Sequence, residues 1–283
     1  MLRLRPIDAH KGTLGHALLV AGSREVGGCA VLAAESCLRS GVGKLTVCTP
    51  ESNRLLVQMS VPEAVLRVRP DDDDAIPTWP EAEWPWQAIG VGPGIGLGAD
   101  GLVDALLTCT VGLPLVVDAD ALRILAKHPK WMECLRGRAV LTPHGGEMRA
   151  LVQGLLPQGT NCDNAEAMTA CAAIVACKCG VWVVLKGHPT VVCSPDGHIN
   201  ACPRGNAGMA TAGAGDVLTG IVAGLLAQGY GPGEAAALGV WLHATAGDLA
   251  AAQMGQEAML ARDITAHLSQ AWAELHECRN NSR

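Results

Sequence analysis

The sequence predicts an α/β fold, a mostly parallel central sheet covered by helices on both faces. Two observations carry the prediction. Short runs rich in Val, Leu and Ile alternate with helix-like runs over most of the 283 residues. Strand–turn–helix units repeated in this way build a parallel sheet flanked by its own crossover helices. The chain also has one Tyr and no Phe, so small and aliphatic side chains must fill the core and let helices approach the sheet closely.

Taken in order, HALLVAG (16–22) reads as the first strand, and CAVLAAESCLRSG (29–41) as a helix ending at Gly41. KLTVCTP (44–50), QAIGVGPG (87–94), PLVVDAD (114–120), RAVLTPH (138–144) and VWVVLKG (181–187) are further strands. Most are followed by a Gly, Pro or Asp turn and a helical pattern such as AEAMTACAAIVACK (165–178). After Gly213 the chain becomes helical, through DVLTGIVAGLLAQG, GEAAALGVWLHATAGDLAAAQ and a last stretch near AHLSQAWAELHE. Neither a second core nor a repeat is visible, so residues 1–283 are expected to form one domain. PDDDDAIPTWPEAEWPW (70–86) breaks the rhythm and reads as a solvated surface loop, with tryptophans that cover an edge or a subunit contact.

Composition narrows the function. A net charge of −6 without a Lys/Arg block speaks against nucleic acid, whose phosphates draw clustered cations. No apolar run approaches the ~20 residues of a membrane span, and the N-terminus reads as a first strand, not a signal peptide. The twelve cysteines are scattered, and only Cys177 and Cys179 are close. Without a CxxC pair zinc is not expected. Reduced, mostly buried thiols in a cytoplasmic protein are.

In an open parallel sheet, ligands bind outside the carboxyl ends of the strands. Gly92–Gly96, Asp118 and Asp120, Thr142–Glu147 and Lys186–Thr190 all fall at such ends, on one rim. Behind them comes NAGMATAGAGDVLTG (206–220), glycine-rich with a single acid, Asp216, at the start of an apolar helix. Free N–H groups at a helix N-terminus suit a polyphosphate or a transferring phosphoryl group. Asp216 is then either a dipole-complementing cap or a base that takes a proton from a hydroxyl attacking phosphorus.

The GAGD-plus-helix pattern resembles the ribokinase-like superfamily, in which the glycines form an anion hole and the Asp is the base. HKGTLGHALLVAGS, AAESCLRSGVGKL, GVGPGIG, VVDADAL, LTPHGGEMRAL, LKGHPTVV and NAGMATAGAGDVLTGIVAGLLAQG resemble, in order and spacing, the ADP- or ATP-dependent NAD(P)H-hydrate dehydratase family. The likeness runs from about residue 10 to about residue 250. It implies a repair reaction. A nucleotide, ADP or ATP, generally with Mg2+, phosphorylates the ring hydroxyl of hydrated NADH or NADPH, (6S)-NAD(P)HX, and loss of phosphate restores the dihydronicotinamide.

Residue by residue, the resemblance makes Asp216 the base that activates the hydroxyl and places substrate against Cys29, Gly94, Gly96 and His144. It gives Lys186, Gly187, His188, Pro189, Thr190, Asn206 and Gly215 to the nucleotide. Glu147 either holds Mg2+ through water or caps the following helix. His144 contacts the damaged cofactor or makes a helix-start hydrogen bond. Asp118 and Asp120 order the rim or its solvent. Three positions depart from the family's usual pattern: Cys29 stands where an alanine is common, and Ala212 and Ala214 replace a glycine and a hydroxyl residue.

The family also implies a homo-oligomer, expected as a tetramer, and a functional partnership with an NAD(P)H-hydrate epimerase, for which this chain has no room. Two alternatives stay open. One is a kinase of the hydroxymethylpyrimidine or hydroxyethylthiazole type, which would release its phosphorylated product. The other is a non-catalytic nucleotide-binding relative. A dinucleotide-binding oxidoreductase is disfavoured, because VAGSREVGG lacks GxGxxG after the first strand.

Overall fold

The computed structural model describes residues 2–72, 77 and 85–281. Seven parallel strands come first in the chain: β1 (His16–Val20), β2 (Lys44–Pro50), β3 (Val65–Arg69), β4 (Ala88–Val91), β5 (Leu115–Val117), β6 (Ala139–Leu141) and β7 (Trp182–Leu185). An antiparallel pair, β8 (Thr190–Cys193) and β9 (Ile199–Cys202), extends the sheet beyond β7. The spatial order is β3-β2-β1-β4-β5-β6-β7-β8-β9. The order reverses between β1 and β4, which opens a crevice at their carboxyl ends.

Strand β1 shows why the sheet must be covered twice. Ala17 and Leu19 face one core, while Leu18 and Val20 face the other, and all four are buried. The first core is closed by α1 (Gly28–Arg39), α7 (Ala214–Ala227), α8 (Pro232–Met254) and α9 (Ala261–Asn281). The second is closed by α3 (Asp100–Cys109), α4 (Ala119–Lys127), α5 (Gly145–Leu155) and α6 (Ala165–Cys179). A short helix, α2 (Arg54–Ser60), lies beside α1 and β3.

Helix α7 is central to the site. Twelve of its 14 residues are buried, and the two that are not are Gly215 and Asp216. Its glycines let α1 approach: a Cβ on Gly220 would lie 2.1 Å from the Ala33 carbonyl, and one on Gly224 2.0 Å from Ser40 Oγ. The apolar helix thus serves as a buried strut that brings one polar turn to the sheet's rim.

Some expectations need correction. β3, β8 and β9 were not among the six predicted strands. VLRVR is broken by arginines and INAC is short and half polar, so neither gives a clean apolar run. The last helix begins at Ala261, ahead of the predicted stretch. Trp86 is buried at 3% exposure, so it packs into the core instead of covering an edge. Trp79, Trp84 and most of the acid-rich segment 70–86 lie outside the described residues. None of the twelve cysteines is in a disulfide, but six are buried and four exposed, so "mostly buried" overstates their placement. Among the described residues no helix is long and apolar enough to cross a membrane.

Candidate active site

A cavity of about 620 Å³ opens at the carboxyl rim, between the ends of β5, β6 and β7 and the N-terminus of α7. The helix begins at Gly213, whose φ of +91° is a glycine conformation, and no side chain caps it. Ala214 N–H donates to the Thr211 carbonyl at 3.3 Å and Val217 N–H to that of Gly213, which leaves the N–H groups of Gly215 and Asp216 available to a ligand. Asp216 is the third helical residue, where a capping carboxylate would reach back to the N-cap N–H. Glu147 does this at α5 and Glu234 does it at α8. Asp216 does not, and its carboxylate has no hydrogen-bond partner among the described residues. Asp216 is thus not a hydrogen-bonded cap, and it stands in the first turn as a free carboxylate.

Its surroundings tune that carboxylate. Burial, then the neighbouring charges of Asp118, Glu147 and Asp120, push its pKa up, with Lys186 pulling the other way, to about 7. A carboxylate poised near neutrality in a cleft suits proton abstraction.

Lys186 follows β7 and its ammonium turns inward, 2.7 Å from Asp118 Oδ1 and 3.6 Å from Glu147 Oε2. Burial works against its charge, but the carboxylates prevail and raise its pKa above the ordinary lysine value. Asp118, 1% exposed at the end of β5, also accepts from Thr219 Oγ1 of α7 at 2.7 Å. Gly215 lets Lys186 come close. A Cβ would lie 3.1 Å from Lys186 Nζ and 3.6 Å from Asp118 Oδ2. Next to Asp118, Ala119 has φ of +49°, the only positive φ of a non-glycine residue among those described. Backbone held this way is commonly found at functional sites.

His144 accepts from the Gly146 and Glu147 N–H groups at Nδ1, at 2.9 and 3.3 Å, so its proton sits on Nε2, 3.2 Å from Glu147 Oε1. The helix-start hydrogen bond is real, yet the half-exposed ring still lines the cavity. Glu147, 4% exposed, accepts from the His144 N–H at 2.8 Å, so it caps α5 while also lining the cavity. Among the described residues no group of three or more His, Cys, Asp or Glu is placed to hold a metal. Magnesium bound largely by phosphates and water needs only one or two carboxylates. The site fits that form and not an all-protein cage.

The predicted residues divide into two groups. Gly187, His188, Thr190 and Asn206 line the cavity with Lys186, Gly215 and Asp216. Residues 186–190 form the hairpin turn between β7 and β8, and its lysine points inward. Gly187 leaves open space around its Cα, with only the Pro189 carbonyl within reach of an added Cβ, at 3.8 Å. Thr190 Oγ1 donates to the Gly187 carbonyl, and His188–Pro189 is a cis peptide. Asn206 is engaged within its own loop, accepting from Gly208 N–H and donating to Asp248.

Cys29, Gly94, Gly96 and Pro189 do not line this cavity. Cys29 donates from Sγ to the Pro93 carbonyl at 3.3 Å, and a Cβ on Gly94 would meet that sulfur at 2.6 Å. The glycine at 94, with φ of +60°, is thus explained by the thiol. Gly96 N–H donates to Asp120 Oδ2 at 3.0 Å. Burial, with Asp216 adding to it, pushes the Cys29 pKa to about 12, so this thiol is no thiolate ligand. Sequence reasoning missed His243, Thr219 and Asp248. They are lone polar residues on apolar helices, and periodicity alone does not separate them from core.

The fold is ribokinase-like. A ribokinase-like superfamily protein from Enterococcus faecalis superposes with a TM-score of 0.78 at 28% identity, covering 96% of this chain and 91% of that one. The family model described as NAD(P)H-hydrate dehydratase matches residues 17–270, and the chain belongs to that family. It is 38% identical to the ADP-dependent (S)-NAD(P)H-hydrate dehydratase of Neisseria meningitidis, over 88% of this chain and 81% of that protein. With the bifunctional NAD(P)H-hydrate repair enzyme Nnr of Moorella thermoacetica it shares 40% identity over 96% of its own length, but it spans about half (52%) of that relative. The ADP/ATP-dependent NAD(P)H-hydrate dehydratase of Bacillus subtilis, co-crystallized with ATP/Mg2+, superposes with a TM-score of 0.79 at 30% identity, covering 96% and 94% of the two chains.

Proposed function

We propose that this chain is a hydro-lyase that restores NAD(P)H from (6S)-NAD(P)HX at the expense of ADP or ATP. One observation carries the reading. Asp216 is uncapped, free of hydrogen bonds and held near neutrality at the open N-terminus of α7, facing a cavity of nucleotide size.

Asp216 takes the proton of the C6 hydroxyl while that oxygen attacks the terminal phosphorus of the nucleotide. The P–O bond to the leaving nucleotide breaks, giving AMP from ADP or ADP from ATP. Charge on the moving phosphoryl group is met by the first N–H groups of α7 and by Lys186. The C6–O bond of the phosphorylated hydrate then breaks and C5 loses a proton to solvent. The electron pair left at C5 restores the ring double bond and orthophosphate departs. Glu147 would hold Mg2+ through water, and the ion when bound would neutralise phosphate charge.

The remaining expectations belong to the same proposal. The protein is cytoplasmic and works beside an epimerase that supplies the reactive hydrate epimer, a partnership in keeping with relatives named bifunctional repair enzymes. It assembles as a homotetramer, which light scattering reporting only monomer would remove. The activity test mixes purified protein with NADHX, Mg2+ and either ADP or ATP and follows the dihydronicotinamide absorbance. Recovery with one nucleotide, absent in Asp216→Asn, supports the proposal. No recovery with either nucleotide refutes it.

A further inference from the structure

The loop that carries the anion hole, residues 205–214, has little regular structure of its own beyond one short turn, Ala207–Met209. Each of its ends is nevertheless fixed, and both fixings come from α8. At the start, the Asp248 carboxylate accepts from Gly205 N–H at 3.0 Å and from Asn206 Nδ2 at 3.0 Å. This orients Asn206, whose Oδ1 accepts from Gly208 N–H at 3.0 Å and closes the turn. At the far end, His243 Nε2 lies 2.9 Å from the Ala214 carbonyl. A carbonyl can only accept, so Nε2 carries the proton and the ring is a donor there. Burial lowers the imidazole pKa to about 4, against the pull of the Ala214 carbonyl, which keeps the ring neutral.

Between the two anchors the loop rests on α8 itself. Met209 lies where a Cβ on Gly247 would come within 2.4 Å of its sulfur. His243 and Gly247 are four residues apart, as are Ala244 and Asp248, so all four share one helical face. Ala244 and His243 also line the cavity. The segment HATAGD (243–248) therefore presents a donor, a gap and an acceptor to a loop that would otherwise be free to move.

We infer that His243 and Asp248 are positioning residues for the phosphate donor, acting through the 205–214 loop to aim the N–H groups of Gly215 and Asp216 into the cavity. The inference rests on the proposed nucleotide-dependent reading. It assigns to α8 a share of nucleotide affinity that is exerted through the loop. Neither residue touches the Cys29–Gly94 region, so the hydrate side is left alone.

The test measures ADP binding by calorimetry, and the KM values for nucleotide and for NADHX, in the parent protein and in His243→Ala, His243→Gln, Asp248→Ala and Asp248→Asn. Both alanine variants should bind ADP about tenfold more weakly, as removal of a part-buried hydrogen-bond partner that orders the loop entails. The nucleotide KM should rise in parallel, with the NADHX KM within about twofold of the parent. Gln at 243 can donate to the same carbonyl and should recover part of the loss. If either alanine variant does not fold, its conservative partner carries the comparison. Folded variants with a lowered melting temperature but unchanged ADP affinity and nucleotide KM would show a purely structural role and overturn the inference. ADP and ATP binding absent from the parent protein would overturn it together with the proposed function. Binding without turnover would refute the catalytic reading alone.

Discussion

Lys186 donates to Asp118 at 2.7 Å from a turn 68 residues further along the chain, and this pair fixes the floor of the site. One ammonium answers two carboxylates, since Glu147 stands 3.6 Å from it, while Asp120 and Asp216 add negative charge nearby. Burial, with the excess of acid over base adding to it, explains why Asp216 holds its proton so high. With that excess, the proposed nucleotide would need further cations or the α7 N-terminus to offset its charge.

The pH profile follows from Asp216. Its pKa of about 7 means that the base is charged only above neutrality. kcat/KM should therefore rise with pH up to about 7 and then level off. Stability runs the opposite way. The folded-state value exceeds the unfolded one, so the folded protein binds the extra proton between about pH 4 and 7 and loses that stabilisation as pH rises through 7. Asp216→Asn should flatten the stability slope in urea titrations at pH 5 and 8, and lower kcat by about 10²–10⁴. An unchanged slope would contradict the assignment.

Removing the cation should cost more than removing the base. Lys186→Met leaves Asp118 and Glu147 buried without their partner, a loss of about 3 kcal/mol in denaturant unfolding. In the folded fraction, the lower limb of the pH profile should move above 7, because Lys186 is, among the described residues, the group that lowers the Asp216 pKa.

The strut makes a prediction independent of chemistry. Gly220→Ala places a methyl 2.1 Å from the Ala33 carbonyl and must push α1 from α7, at a cost of about 1–3 kcal/mol. Chemical denaturation of the variant measures it, and a parent-like midpoint would refute the packing.

Cys29 should be inert. With its pKa near 12 and 6% exposure, it should escape alkylation by iodoacetamide at pH 8 while exposed Cys109, Cys134, Cys177 and Cys278 are labelled. Mass spectrometry of the alkylated protein reads this directly.

Much of the architecture was legible because burial on both sides leaves parallel strands as continuous apolar runs, as in LLV of β1 and LVV of β5. β3 was hidden by Arg69, which is 1% exposed and donates to the Gly22 carbonyl at 2.8 Å, so an arginine here marks the inside of the fold. In the site, the glycines announced a close approach, but their reasons were chain-internal and therefore unreadable. Gly215 makes room for Lys186, and Gly94 for Cys29. Lys186 itself reads as an ordinary hairpin lysine until Asp118 and Glu147 converge on it from other strands. Spacing along the chain carries no trace of that convergence.

The central claim is that phosphoryl transfer serves only to make a leaving group. The most direct test follows dihydronicotinamide absorbance and orthophosphate together in one reaction with NADHX and the productive nucleotide. The account predicts one orthophosphate released for each dihydronicotinamide restored, both lost in Asp216→Asn. Consumption of nucleotide with accumulation of a stable phosphorylated hydrate, and no recovered absorbance, would contradict it and identify a kinase.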